Sequence, residues 1–340
     1  MSSHLSQTKP RAATASSSGN TWQAEMKQAI RSATELCEFL GLVPHEVGAQ
    51  DNDFPVFVPR SFAQRMELGN RLDPLLLQVL AQSQEELEIE GYVTDPIGEE
   101  AAKLAPGVLQ KYSSRALMIT TGGCAVHCRY CFRRHFPYSE SPSGIEQWKP
   151  SLEAIRADRQ IEEVLLSGGD PLILADVTLS RLLTELADIP HLKHVRFHTR
   201  TPVIIPARIT PSLIKTLQAT RLNIWFVIHA NHANELDGEV LMSLSQLRKA
   251  GIPVMNQAVL LKGVNDDEEA LYQLCKRLID VQITPYYLHQ MDPITGAAHF
   301  HVPIERGKEL IAAIRKRLPG YAVPRYVQEL SGEQSKTVIA

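Results

Sequence analysis

A short apolar run, Ala116-Leu117-Met118-Ile119-Thr120, leads straight into a loop holding three of the chain's five cysteines, Cys124, Cys128 and Cys131, at the spacing C-x3-C-x2-C. The run reads as a buried strand. Three thiols at its carboxyl end constrain the fold, because α/β scaffolds present their working loops at that edge of their strands. The spacing constrains the chemistry too. Three thiolates can hold three irons of a cubane [4Fe–4S] cluster and leave the fourth iron without a protein ligand, open to a substrate or cofactor. A Zn²⁺ ion is the alternative, with His127 or His135 as fourth ligand.

From about residue 110 strand and helix patterns alternate. The strands expected are Leu117–Thr121, Glu163–Ser167, His194–Thr199, Asn223–His229, Pro253–Leu261 and Ile283–Leu288. Helical patterns lie between them, such as Leu179–Ala187, Pro211–Thr220, Glu239–Ala250 and Glu268–Ile279, and Ile304–Arg317 follows the last strand. Six parallel strands with intervening helices make a partial (β/α) barrel or an open sheet, α/β in either case. Upstream, residues 22–100 read as a helical region. Trp22 to Leu40 carries apolar positions at helical spacing, and Pro59-Arg60-Ser61-Phe62 opens a second helix. Asp73-Pro74 opens a third, with Asp as cap and Pro at the first helical position. Residues 1–21, rich in Ser, Thr and Ala, read as a disordered tail, with a mitochondrial-type presequence as the other option. The expected division is 1–21, 22–100, a barrel over 101–318, and a C-terminal segment, 319–340, packed on the barrel.

Composition excludes several classes. A net charge of −3 over 340 residues gives no nucleic-acid or membrane footprint, and no apolar run reaches membrane-spanning length. Lys9 and Arg11 precede no apolar segment of the secretory kind. Cys37 and Cys275 stand alone in helical patterns and fit as buried small hydrophobes. With the other three cysteines in one loop, no disulfide framework is indicated, and a reducing cytoplasm is the expected location.

The cysteine spacing at a strand end, followed by Arg133-Arg134-His135, resembles the radical S-adenosylmethionine (SAM) enzymes and, among them, the lysine 2,3-aminomutase family. The resemblance covers about residues 60–340. It implies a partial (β/α)6 radical-SAM barrel with an N-terminal helical region. It also implies three cofactors: a [4Fe–4S] cluster on Cys124, Cys128 and Cys131, SAM, and pyridoxal phosphate (PLP). Ser167-Gly168-Gly169-Asp170-Pro171, which alone reads as a tight turn, matches the glycine-rich segment set against the methionine amino group of SAM. The matching positions assign Gly168, Gly169, Asp170, His229, Asn256 and Gln257 to SAM. Polar residues at strand ends are otherwise most often hydrogen-bonded structure.

The same resemblance makes Lys336 the Schiff-base lysine of PLP, a role an amine can fill by condensing with an aldehyde. Lys111, Tyr112 and Arg115 would surround the PLP phosphate and ring. Arg133 would pair with the substrate α-carboxylate, as a guanidinium fork can. Asp292 and Glu329 would receive the side-chain ammonium, Glu329 standing where the family has aspartate. Two carboxylates in one pocket favour a cationic group between them. Ser331-Gly332-Glu333-Gln334-Ser335, before Lys336, carries one glycine where the family's tract is glycine-rich.

The activity implied is an isomerase reaction, conversion of L-α-lysine to β-lysine by 2,3 migration of the amino group. A one-electron donor such as flavodoxin or ferredoxin would supply the reducing equivalent. The chain stops four residues after Lys336, and so resembles the short form of the family, which makes β-lysine for attachment to elongation factor P, together with that factor's lysyl-ligase. Three other readings stay open: an aminomutase for another amino acid, a radical enzyme in which Lys336 is a bystander, and a non-catalytic zinc-binding interaction protein.

Overall fold

The computed structural model describes residues 21–340. The tail expected over residues 1–21 therefore lies, apart from Thr21, outside the described residues. One ten-stranded sheet, paired in chain order, carries the molecule. It starts with an antiparallel meander of β1 (Lys103–Ala105), β2 (Val108–Tyr112) and β3 (Arg115–Thr121). From β3 onward the pairing is parallel, through β4 (Glu163–Gly168), β5 (His194–Thr199), β6 (Asn223–His229), β7 (Val254–Leu260), β8 (Thr284–Gln290) and β9 (Arg325–Gln328). β10 (Thr337–Val338) returns antiparallel to β9. Neither edge strand pairs with the other, so the barrel is partial.

The parallel strands are built by alternation. In β7, Val254, Asn256, Ala258 and Leu260 are buried, while Met255, Gln257 and Val259 are half-buried on the opposite face. Val254, Ala258 and Leu260 join the core formed with the crossover helices. Those helices meet it with apolar residues three and four apart, such as Leu179, Leu182, Leu183 and Leu186. Thr210, Asp237 and Asp267 cap three of them, each accepting from a backbone N–H of the first turn. Every parallel strand then ends at one rim, where the loops gather.

Two expectations change. The barrel has seven parallel strands, because Arg325–Gln328 pairs in register with Tyr287–His289 and buries Tyr326 and Val327 completely. A strand of four residues is too short for periodicity to declare. Residues 22–100 are also less helical than expected. Trp22–Leu40 breaks into α1 (Trp22–Lys27) and α2 (Ala33–Leu40), and between them Ile30 makes a two-bond bridge with Val58. The second and third helices are single turns, α3 (Arg60–Ala63) and α4 (Pro74–Leu77). Asp73 caps the latter as expected, accepting from the N–H of Leu75 and Leu76. One-turn helices do not hold themselves, so this region is fixed by a second apolar core that includes Ala125 and Val126 of the cysteine loop. Among the described residues no helix is long and apolar enough to cross a membrane.

Candidate active site

The cysteine loop leaves β3 and lies directly on the glycine loop that leaves β4. The N–H of Gly169 donates to Thr121 O at 2.7 Å, and that of Asp170 donates to Gly123 O at 2.8 Å. A side chain cannot fit between them: a Cβ on Gly169 would stand 1.9 Å from Gly123 O, and one on Gly168, where φ is +114°, 2.5 Å from Thr121 O. Asp170 is buried beneath this contact. Its carboxylate accepts from Leu172 N, Thr199 Oγ1, Arg200 N and Thr201 N. It thus ties the loops after β4 and β5 together, with both oxygens occupied by the protein.

The cysteine loop is clasped from the other side by the N-terminal region. Arg129 is fully buried; its guanidinium donates to both oxygens of Glu85, to Phe54 O and to Asn52 Oδ1. Arg134 donates to the same Glu85 carboxylate at 2.8 Å. Burial alone would raise the Glu85 pKa, and the two guanidiniums reverse that and hold it below its ordinary value. His127 lies 5.0 Å from the Phe54 ring in a stacked arrangement, with Nδ1 2.8 Å from Pro55 O, and His135 Nε2 is 3.1 Å from Thr295 O. Each ring thus places one nitrogen on a backbone carbonyl.

The three thiols fit a multinuclear centre. Burial, then Cys131 and Asp170, pushes the Cys124 thiol well above its ordinary pKa, and burial with Cys128 pushes that of Cys131 up to about 11. They lie in each other's fields, so thiolates here need positive charge to coexist, which iron supplies. A cubane asks for one iron per thiolate, and three cysteines on one loop can supply that.

Within the loop, between Cys128 and Cys131, Tyr130 stacks on His229, with its hydroxyl 2.8 Å from Nε2. Burial, then Arg200, holds His229 well below its ordinary pKa, so the ring is neutral. Gln257 is the register partner of His229 and lies half-buried on the lumen face. Asn256 points the other way. Its side chain accepts from Ala230 N at 2.9 Å and donates to Ala230 O at 3.0 Å, so both its polar ends serve the backbone after β6. His229 and Gln257 are thus register neighbours on β6 and β7, whereas the polar atoms of Asn256 and Asp170 are taken up by neighbouring backbone and by Thr199.

Across the rim, Lys336 pairs with Glu329. Glu329 also accepts from the Tyr112 hydroxyl at 2.9 Å and lies 3.5 Å from Lys111 Nζ. Burial would raise the Glu329 pKa; Lys336, Lys111 and Tyr112 lower it below its ordinary value. The Arg115 guanidinium sits over the Tyr112 ring at 4.3 Å. Asp292 feels the same charges, yet burial prevails and pushes its pKa up to about 7, with Lys336 opposing and Glu329 adding to the rise. Lys336, Glu329, Asp292, Lys111, Tyr112 and Arg115 thus form one cluster. Arg133 is buried nearby: its Nε and Nη2 face Glu99, and Nη1 donates to Ser167 Oγ at 2.9 Å.

Several polar residues here escaped the sequence reading. His198 and His289 lie close enough to Lys336 for its charge to act on them. Burial is the largest influence on both, driving His198 well below its ordinary pKa and His289 to about 3, so both rings are neutral. The alternation in β5, which sets His194, Arg196 and His198 on one face, was the available signal. Arg200, Glu235 and Gln78 form a buried group beside Cys128. The position of Arg200, directly after the strand end at Thr199, was the only hint.

A cysteine triad and a glycine loop on adjacent strands of an open parallel barrel define the radical SAM class, and the model of the Radical SAM superfamily matches residues 118–275. The L-lysine 2,3-aminomutase of Escherichia coli is 42% identical over 320 residues, which is 93% of this chain and 93% of that protein. The Haemophilus influenzae enzyme of the same name is 41% identical, covering 94% and 95%. That of Clostridium subterminale is 32% identical, covering 94% of this chain and 78% of its own. The chain belongs to the L-lysine 2,3-aminomutase family. It is therefore an isomerase, and membership implies a [4Fe–4S] cluster, SAM and PLP as its cofactors.

Proposed function

We propose that this chain moves the amino group of free L-lysine from Cα to Cβ, giving β-lysine, with Cys124, Cys128 and Cys131 holding the cluster and Lys336 holding PLP. The reading rests on one observation above all. Lys336 and Glu329, from the end of the chain, meet Lys111 and Tyr112 of β2, with Asp292 close enough to feel the Lys336, Glu329 and Lys111 charges and the Arg115 guanidinium over the Tyr112 ring. The cluster with SAM supplies hydrogen abstraction when bound, and PLP supplies a place to delocalise the unpaired electron during migration.

The chain's own residues bind and orient. His229 and Gln257 offer neutral polar contacts beside Gly168 and Gly169, which give close backbone approach to SAM. Lys111 and Arg115 offer charge to a phosphate. The pair Glu329–Lys336 is a carboxylate on an alkylammonium, the contact that a substrate ε-ammonium would make. Once Lys336 nitrogen is committed to PLP, Glu329 is free for it, with Asp292 alongside. A substrate α-carboxylate on Arg133 must exchange with Glu99 or share the fork through Nη1. Burial tends to lower the Arg133 pKa, but Glu99 more than offsets it and holds it above its ordinary value.

We infer further that the product serves elongation factor P through its lysyl-ligase, that flavodoxin or ferredoxin is the reductant, and that the cytoplasm is the location. The resemblance to the lysine 2,3-aminomutase family supports these. The direct test is anaerobic incubation of reconstituted protein with SAM, PLP, dithionite and α-lysine. β-Lysine, separated from its isomer α-lysine by chromatography and identified by its fragments in mass spectrometry, and lost in Cys128→Ala and Lys336→Ala, is expected. SAM cleavage without β-lysine would discard lysine as the substrate. Elongation factor P purified from cells lacking this chain should be lighter by the β-lysyl modification.

A further inference from the structure

Among the described residues, Arg200 is the one cation whose side chain is hydrogen-bonded to a cysteine of the triad. Its Nη1 donates to Cys128 Sγ at 2.7 Å and to the Tyr130 hydroxyl at 2.6 Å. Its Nη2 donates to Gln78 Oε1 at 2.6 Å and Glu235 Oε2 at 2.7 Å. The residue is 7% exposed. Its backbone N–H is held by Asp170, the carboxylate that also supports the glycine loop. So the guanidinium cannot swing away from the sulfur, and water cannot screen it.

We propose that Arg200 is a positioning residue that sets the reduction potential of the cluster through Cys128. The inference rests on the reading of Cys128 as a cluster ligand. The physical chain is short. One-electron reduction, from [4Fe–4S]²⁺ to [4Fe–4S]⁺, adds a negative charge that spreads onto the sulfurs. An N–H donor and a positive charge at one sulfur stabilise the reduced form, so hydrogen bonding raises the potential. Glu235 on the far side of the guanidinium sets how much positive charge the sulfur feels, and low effective dielectric keeps both effects strong. Arg200 thereby makes the cluster easier to reduce by a one-electron donor, without touching substrate.

The test is an EPR-monitored redox titration of reconstituted full-length protein, with iron content and thermal melting measured in parallel. Arg200→Met combined with Glu235→Gln removes the cation without stranding a buried carboxylate. It is expected to shift the reduction equilibrium at least tenfold toward the oxidised cluster, a fall of 59 mV or more for one electron. Arg200→Lys is expected to recover part of that shift. Glu235→Gln alone leaves the cation less compensated and is expected to raise the potential, a sign that mere loosening of the fold would not produce. If the double variant does not fold, the single Glu235→Gln variant decides. Unchanged potentials at unchanged iron content would overturn the proposal. A Cys128→Ala protein that keeps its full cluster would instead overturn the ligand reading beneath it.

Discussion

At the scale of single residues, the deciding quantity is whether a polar group has partners left to offer. Asp292 and Asn256 both matched family positions by sequence, yet the structure treats them differently. Asn256 spends both ends on Ala230. Asp292 is buried with a pKa of about 7. A raised carboxyl pKa means that the neutral form stabilises the fold. That contribution is complete below the unfolded value near 4 and is lost as pH rises through about 7. Asp292→Asn should therefore stabilise the apoprotein at pH 8 by on the order of 2–3 kcal/mol more than at pH 5, measured by chemical unfolding at both pH values. The same variant should weaken lysine binding, because a cationic group needs the ionised form. Sequence could place Asp292 after β8; it could not show that burial would overcome a nearby lysine, which is a property of the assembled pocket.

At the scale of elements, the site is made by two loops that fit only because both present glycine where they touch. Their existence was legible: the apolar run before Cys124 and the Gly168-Gly169 pair each mark a strand end. Their contact was not, because the 1.9 Å approach of a Gly169 Cβ to Gly123 O depends on the register of β3 against β4. Gly169→Ala is expected to force these loops apart at a cost of about 1–3 kcal/mol. The barrel should stay folded by circular dichroism while reconstituted iron per chain falls steeply. Unaltered iron content would show that the loops can separate without disturbing the triad. The N-terminal region was misread for a related reason. Its helical spacing is real, but α3 and α4 are single turns, and their order comes from packing against the cysteine loop. A pattern alone cannot show that.

At the scale of the whole molecule, the open barrel has a seam, and side chains close it. β9 is bonded to β8 and β10, and β2 to β1 and β3; among the described residues no backbone pairing joins the two edges. Glu329, just past β9, reaches Tyr112 and Lys111 on β2 and also holds Lys336. The final residues are kept in place by exchange of backbone bonds between Tyr326 and residues 339–340. One carboxylate therefore links the first strands, the last strands and the lysine proposed to carry PLP. Glu329→Ala should leave two ammonium groups without their counterion and loosen the seam. Hydrogen exchange should quicken in β2, β9 and β10 and stay slow in β4–β7. A double-mutant cycle with Tyr112→Phe should return a coupling of roughly 0.5–3 kcal/mol. PLP retention should fall in step with the faster exchange, since ordering of the Lys336 segment and closure of the seam are one event. Faster exchange with PLP retention intact would separate the two and show that the lysine is ordered by β10 alone.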